Sequence, residues 1–404
     1  VFQPPPFHPR RPHLVAPVNV DPHGISGPTR GQARRWFRSS SRGLFVPETV
    51  DPGLPEQRVV EAAALLPSFG GVTGWAALHW LGGAWFDGVT AGGLLRPVTL
   101  AIGGHDVRRQ DGVAISHERL GPADLLEVDG VRTTGAVRAT VFEMRYARGV
   151  REAVAVLDMA AYNDLVSVDE VVAYALDHPG WTGIPQCRRA TLLADENSWS
   201  PQEVAMRLIW QLDAGLPRPL CNPPLFDRHG THIGTPDLLD PVAGLIGEYD
   251  GALHLEGARR RRDVRREERF RSHGLEVVTM LAGDGRNRFR MAERILEARR
   301  RALWQPPLGE VMDHHPATLV GARRKRCSTA RPRRGRPRAG SPGSPLPHRI
   351  VRDVWLTAER NPSQNVTDYR GRGAGVRRPR GRSGRRSSRG RPWRRPWGRS
   401  GPTR

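Results

Sequence analysis

TPDLLDPVAGLIGEYDGALH, residues 235–254, is the stretch on which the reading of this chain turns. Leu238-Leu239 and Leu245-Ile246 are apolar pairs suited to a sheet, and Asp240-Pro241 between them is a turn signal. Residues 232–240 and 242–250 are therefore expected as adjoining strands. Antiparallel pairing would carry Asp237 to the neighbourhood of Ile246 to Glu248. Glu248 and Asp250 stand two apart, so they share one face of a strand. Ionised carboxylates gathered at the end of an apolar run repel one another and resist desolvation. A hard divalent cation, Mg2+ or Mn2+, ligated by Asp237, Glu248 and Asp250 would remove that conflict.

Elements on either side complete a small α/β unit. Ser200-Pro-Gln-Glu203 opens a helix, with Ser200 as N-cap, Pro201 at the first helical position and Val204, Leu208 and Leu212 as an apolar stripe. An arginine-rich helix is expected over 258–273, ended by Gly274. LEVVTML (275–281) reads as a buried strand. Phe289, Ala292, Leu296 and Arg300 mark a last amphipathic helix. Residues 198–304 thus form one small α/β domain.

Upstream, residues 36–197 read as an α+β unit. Its signals include a strand at Leu44-Phe45-Val46, a helix at 58–66 and a second helix over 71–88. VTLAIGG and GVAISHERL alternate like strands. A helix follows at 150–162, and Ser167 to Glu170 make a capping box for the next. Residues 1–35 are rich in Pro, Arg and His and are expected as a disordered arm, as is the Pro/Arg/Gly/Ser-rich tail from 305 to 404.

The net charge of +22 is unevenly spread. Residues 305–404 hold about 26 Arg and Lys against about 5 Asp and Glu, leaving the first 304 close to neutral. The only lysine is Lys325. The three cysteines, Cys187, Cys221 and Cys327, fit neither a zinc spacing nor a disulfide framework, so a reducing, cytoplasmic setting is expected. No apolar run reaches the roughly 20 residues of a membrane span. VFQPPPFHPRRPH at 1–13 has no apolar h-region, so no signal peptide is expected there.

From Ser200 to Asp284 the chain resembles a bacterial endonuclease domain related to the very-short-patch repair nucleases, within the PD-(D/E)xK superfamily. The resemblance is carried in collinear order by SPQE, AGLPRPLCNPPLFDRHG, TPDLLDP, GEYDGALH and RRDVRREERFRSHGLEVVTM. Residues 36–197 are similar to the region that accompanies this domain in actinobacterial proteins, and through them to abortive-infection type IV antitoxins. GLFVPETV, VTGWAALHWLGG, DGVRTTGAVRA and AVLDMAAY carry that second likeness. The resemblance implies an α+β domain followed by a restriction-endonuclease-like α/β domain, with metal-dependent hydrolysis of DNA. It also implies roles: Asp237 at the PD position, Glu248 at the second acidic position and Glu203 as the helical acid. Many relatives have a lysine where this chain has Asp250, and His254 is then the candidate for handling a proton or contacting phosphate.

Plainer readings stand beside these. Glu203 also fits as the partner of Ser200 in a capping box, Asp237 as a turn residue after Pro236, and Glu248 as a solvated strand charge. Asp263 and Arg266, one turn apart, read as a surface ion pair or as groups that position the site. Arg259, Arg260, Arg261 and Arg262 read as phosphate contacts or as a solvated helix face. Arg334-Gly-Arg336-Pro and Arg389-Gly-Arg391-Pro resemble minor-groove AT-hooks, although Arg/Gly/Pro-rich chain makes this tetrapeptide easily. The functional expectation is a DNA endonuclease. The alternatives are a non-catalytic DNA-binding regulator of the antitoxin kind and an RNA-processing enzyme.

Overall fold

The computed structural model describes residues 1–227, 229–251 and 258–302, with 258–264 as backbone alone. The expectations for His254 and for the tail from 305, with Arg334, Arg336, Arg389 and Arg391, lie outside the described residues. No helix among the described residues is long and apolar enough to cross a membrane.

The first 35 residues are built into the fold, against the expectation of a disordered arm. Strands β1 (Pro6–His8) and β2 (Arg11–Val15) form an antiparallel hairpin, and β3 (Val18–Asn19) follows. Helix α1 (Arg30–Trp36) opens on a reciprocal capping box between Thr29 and Gln32. Leu14 is fully buried, and the Arg11 guanidinium lies 3.8 Å over the Trp80 ring while bonding Asp129 at 3.2 Å. Buried Gln57 both accepts from the Val15 N–H and donates to the Val15 carbonyl, replacing a neighbouring strand. Pro- and Arg-rich composition misleads here because these few long-range anchors are invisible to it.

Strands β4 (Phe37–Ser41) and β5 (Leu44–Pro47) join β3 in a three-stranded antiparallel sheet. Helix α2 (Pro55–Ala63) and strand β6 (Gly71–Thr73) come next; α3 (Trp75–Trp80) is then shorter than the helix expected over 71–88, because 71–73 pair as a strand. With β7 (Val98–Ala101), β8 (Val113–Ser116), β9 (Leu125–Val128) and β10 (Val131–Thr134), β6 forms a mixed sheet in the order β8-β7-β6-β10-β9. Helices α4 (Ala136–Tyr146), α5 (Val150–Tyr162), α6 (Val168–Asp177) and α7 (Ile184–Leu193) complete this α+β half. The expected capping box holds α6: Ser167 Oγ accepts the Glu170 N–H, and the Glu170 carboxylate accepts the Ser167 N–H at 2.8 Å.

Helix α8 (Pro201–Leu208) begins at the expected Ser200 cap and runs on through a π-turn, Ile209–Asp213. The wider turn rotates Leu212 outward, so it leaves the stripe and is largely exposed. The division expected at 197/198 falls just before α8, and this helix serves both sides. Val204 and Leu208 pack in the first core with Leu157 and Ala190, while Met206 and Trp210 pack in the next. Between them Arg207 is wholly buried and ion-paired with the equally buried Asp158 of α5.

The second half has short strands β11 (Leu220–Cys221), β12 (Leu225–Phe226) and β13 (His232–Gly234), then β14 (Leu238–Asp240) and β15 (Leu245–Asp250). Helix α9 (Ala258–Ser272), strand β16 (Glu276–Leu281) and helix α10 (Arg288–Arg301) follow. The strand expected over 232–240 is broken at Thr235-Pro236-Asp237, where proline removes a ladder donor. β13 pairs with β12 instead, and β14 joins the sheet β11-β14-β15-β16. β14 and β15 are antiparallel, β15 and β16 parallel with α9 as the crossover.

Alternation sorts this sheet into two faces. Leu238, Leu245 and Met280 pack with Met206, Trp210 and the α10 residues Met291 and Ile295. Leu239, Ile246 and Val277 pack with Phe270 of α9 and with Ile233. A methyl group on Gly247 would stand 2.8 Å from Met206 Cε, and one on Gly234 2.7 Å from the Phe270 ring, so both helices approach over glycines. Of the expected stripe α10 buries Ala292, together with Met291, Ile295 and Ala298, while Phe289 is exposed.

Candidate functional site

Alternation along β14 and β15 decides where the acids go. Glu248, two after Ile246, and Asp237, two before Leu239, both belong to the face covered by α9. The last registered pair is Leu238–Gly247, and Asp237 and Glu248 lie one position beyond it, on neighbouring chains. Asp237 stands just before β14, after Pro236, and its side chain turns to the next strand. Oδ2 accepts the Tyr249 N–H at 2.7 Å, and the Asp237 carbonyl accepts the Asn222 N–H at 3.0 Å.

Glu203 arrives from the first turn of α8, on the opposite layer. Its N–H donates to the Ser200 Oγ, as expected of an N3 residue, but its carboxylate does not return to Ser200. Oε2 accepts the Trp199 N–H and the Asn222 side-chain amide, each at 2.8 Å. Asn222 is buried with φ of 48°, a left-handed backbone that asparagine tolerates better than most residues. It therefore ties α8 to the Asp237 strand through one side-chain and one backbone bond. The sequence reading passed over Asn222, and the signal available was an asparagine placed directly before Pro223-Pro224.

Burial pushes the Asp237 carboxyl up to about 6, and the negative charge of Glu203 adds to the rise; the Tyr249 N–H and the Arg266 charge oppose it. Glu248 is buried, and its Oε2 is held by Arg266 Nη2 at 2.6 Å from α9. Arg266 thus serves the carboxylate of the sheet, where a surface pair with Asp263 was one expectation; the Asp263 side chain lies outside the described residues. Asp250, at the end of β15, is exposed. Arg259 to Arg262 fall within α9, where only the backbone is described.

No family model, curated protein or solved structure matches the chain.

Among the described residues, no group of three or more His, Cys, Asp or Glu side chains is arranged to hold a metal ion. Mg2+ does not require such a cage, because it keeps most of its waters and commonly takes one or two carboxylates beside substrate phosphate. Asp237 and Glu248 supply oxygen donors of that kind. The Asp237 carboxyl is raised first by burial, with the charge of Glu203 a smaller addition. In donor chemistry and charge the residues fit a hard divalent cation.

Proposed function

We propose that the chain hydrolyses DNA phosphodiester bonds with Mg2+ or Mn2+, using Asp237 and Glu248 as the carboxylates that hold the cation and Glu203 as a third acid behind them. The observation that carries this reading is the register that sets Asp237 and Glu248 opposite each other on one face, one position beyond the Leu238–Gly247 pair. A bound divalent ion would neutralise the phosphate and lower the pKa of an attacking water. The protein's part is to keep the acids aligned and partly screened from solvent. Asn222 and the Trp199 N–H fix Glu203, the Tyr249 N–H fixes one Asp237 oxygen, and Arg266 pairs with Glu248 before a cation is bound. Asp250 stands at the rim as a further oxygen donor, and His254 is retained as the proton-handling candidate on sequence grounds.

Purified protein is expected to nick or cut plasmid DNA in Mg2+ or Mn2+, and Glu248→Ala to lose at least about a hundredfold of the rate while keeping its circular dichroism spectrum. Undiminished cutting by that variant would overturn the assignment. One observation favours a second reading, a DNA-binding protein that does not cut: Glu248 already has an internal cation in Arg266. A salt-sensitive DNA complex with no cleavage in any divalent metal would select it. Digestion of RNA and DNA side by side separates the ribonuclease alternative.

A further inference from the structure

The pairing of Glu248 with Arg266 is unequal in its exposure. The carboxylate side chain is 10% exposed and the guanidinium side chain 37%. Arg266 lies one helical turn before Phe270, the ring that seats α9 on Ile246, Leu239 and Val277. Its Cγ passes close over Gly234, and only its far end reaches Glu248. The anchor of the helix and the bond to the acid are therefore separate. The guanidinium can leave Glu248 towards solvent while Phe270 keeps α9 in place, and a long arginine stem permits that without moving backbone.

We propose that Arg266 is an exchangeable resident cation: it neutralises Glu248 until a divalent cation displaces it, and the released guanidinium then pairs with the phosphodiester that accompanies the metal. The proposal rests on the metal-dependent reading above. Its logic is electrostatic. Two acids and a third nearby cannot stay ionised and buried without a counter-charge, and α9 supplies one from the chain itself. The same positive charge repels a second cation at close range, so the metal and the guanidinium compete for one carboxylate. A guanidinium also presents several N–H donors in a fork that matches phosphate oxygens, which gives the displaced group a destination when nucleic acid is bound.

The test is Mn2+ binding to the full chain, followed by electron paramagnetic resonance, for the wild type, Arg266→Gln and Glu248→Gln. Arg266→Gln removes the competing charge and keeps a hydrogen-bonding amide for Glu248. It is expected to bind Mn2+ at least about tenfold more tightly than the wild type. Glu248→Gln is expected to bind more weakly than the wild type. Equal or weaker binding by Arg266→Gln overturns the exchange and makes Arg266 a fixed support of the carboxylate. A wild type and variants that all fail to bind Mn2+ while folded overturn the metal reading itself, a separate result. Should Arg266→Gln not fold, the wild type answers alone. The Arg266 Nε–Hε resonance, assigned through Arg266→Lys, is expected to move to a solvent-averaged position on saturation with Mg2+, and an unmoved resonance refutes displacement.

Discussion

Asp237→Asn is expected to make the metal-free protein more stable at pH 8 and to leave it unchanged near pH 4. The Asp237 carboxyl is pushed up from 3.8 to about 6 by burial and by Glu203. A carboxyl whose pKa rises on folding binds its proton more tightly in the native state. Its favourable contribution is complete below about pH 4, is lost as the pH climbs through about 6, and above that the native state carries the full cost of the buried charge. A rise of about two pKa units corresponds to roughly 3 kcal/mol at 1.36 kcal/mol per unit. Incomplete burial and solvent relaxation argue for a measured gain nearer 1–3 kcal/mol. Asparagine is neutral at every pH, can accept the Tyr249 N–H through its own oxygen, and removes the repulsion from Glu203. Urea unfolding at pH 4.5, 6 and 8 without divalent ions measures the difference as a shift in midpoint. An Asn variant no more stable than wild type at pH 8, or a gain that does not change with pH, would refute the reasoning. Millimolar Mg2+ is expected to stabilise the wild type and not the variant, which separates a cation site from a merely awkward buried acid.

Two further outcomes follow from the supports of the site. Asp158→Asn is expected to cost about 3–5 kcal/mol in urea unfolding, because Arg207 would be left buried without its counter-charge beneath α8. Asn222→Ala loses the amide bond to Glu203 and forces alanine into a left-handed backbone, so a loss of about 1–3 kcal/mol is expected; Asn222→Gly relieves only the backbone part, and equal stability of the two variants would remove strain from the account.

Elements whose signals lie within a few residues were legible before any fold was seen. Helix α5 occupies the expected span, Val150–Tyr162, because its Ala/Val/Leu face is set by local spacing. Ser167 and Ser200 cap their helices as expected, since a cap is a contact between residues three apart. The antiparallel meeting of β14 and β15 was also readable, because Asp240-Pro241 leaves the chain room only to turn back. Partners distant in sequence were not. β1 and β2 look too polar to fold, and partners from separate elements, Gln57, Trp80 and Asp129 among them, hold them. α10 was expected with Phe289 inward, yet the core formed by Trp210, Leu245 and Met280 selects Met291 and Ile295 on another face of the same helix.

The same division runs through the candidate site. Sequence alone placed Asp237 and Glu248 near the ends of two adjoining strands, because a short turn sends the chain back along itself; the register that puts them on one face, with Leu238 opposite Gly247, came from the structure. Only tertiary structure decided that Glu248 is matched by Arg266, that Glu203 answers to Trp199 and Asn222, and that Asp250 stays at the rim. Ion pairs and burial depend on which faces meet in space, and residues 18 and 19 positions apart carry no local pattern that announces them.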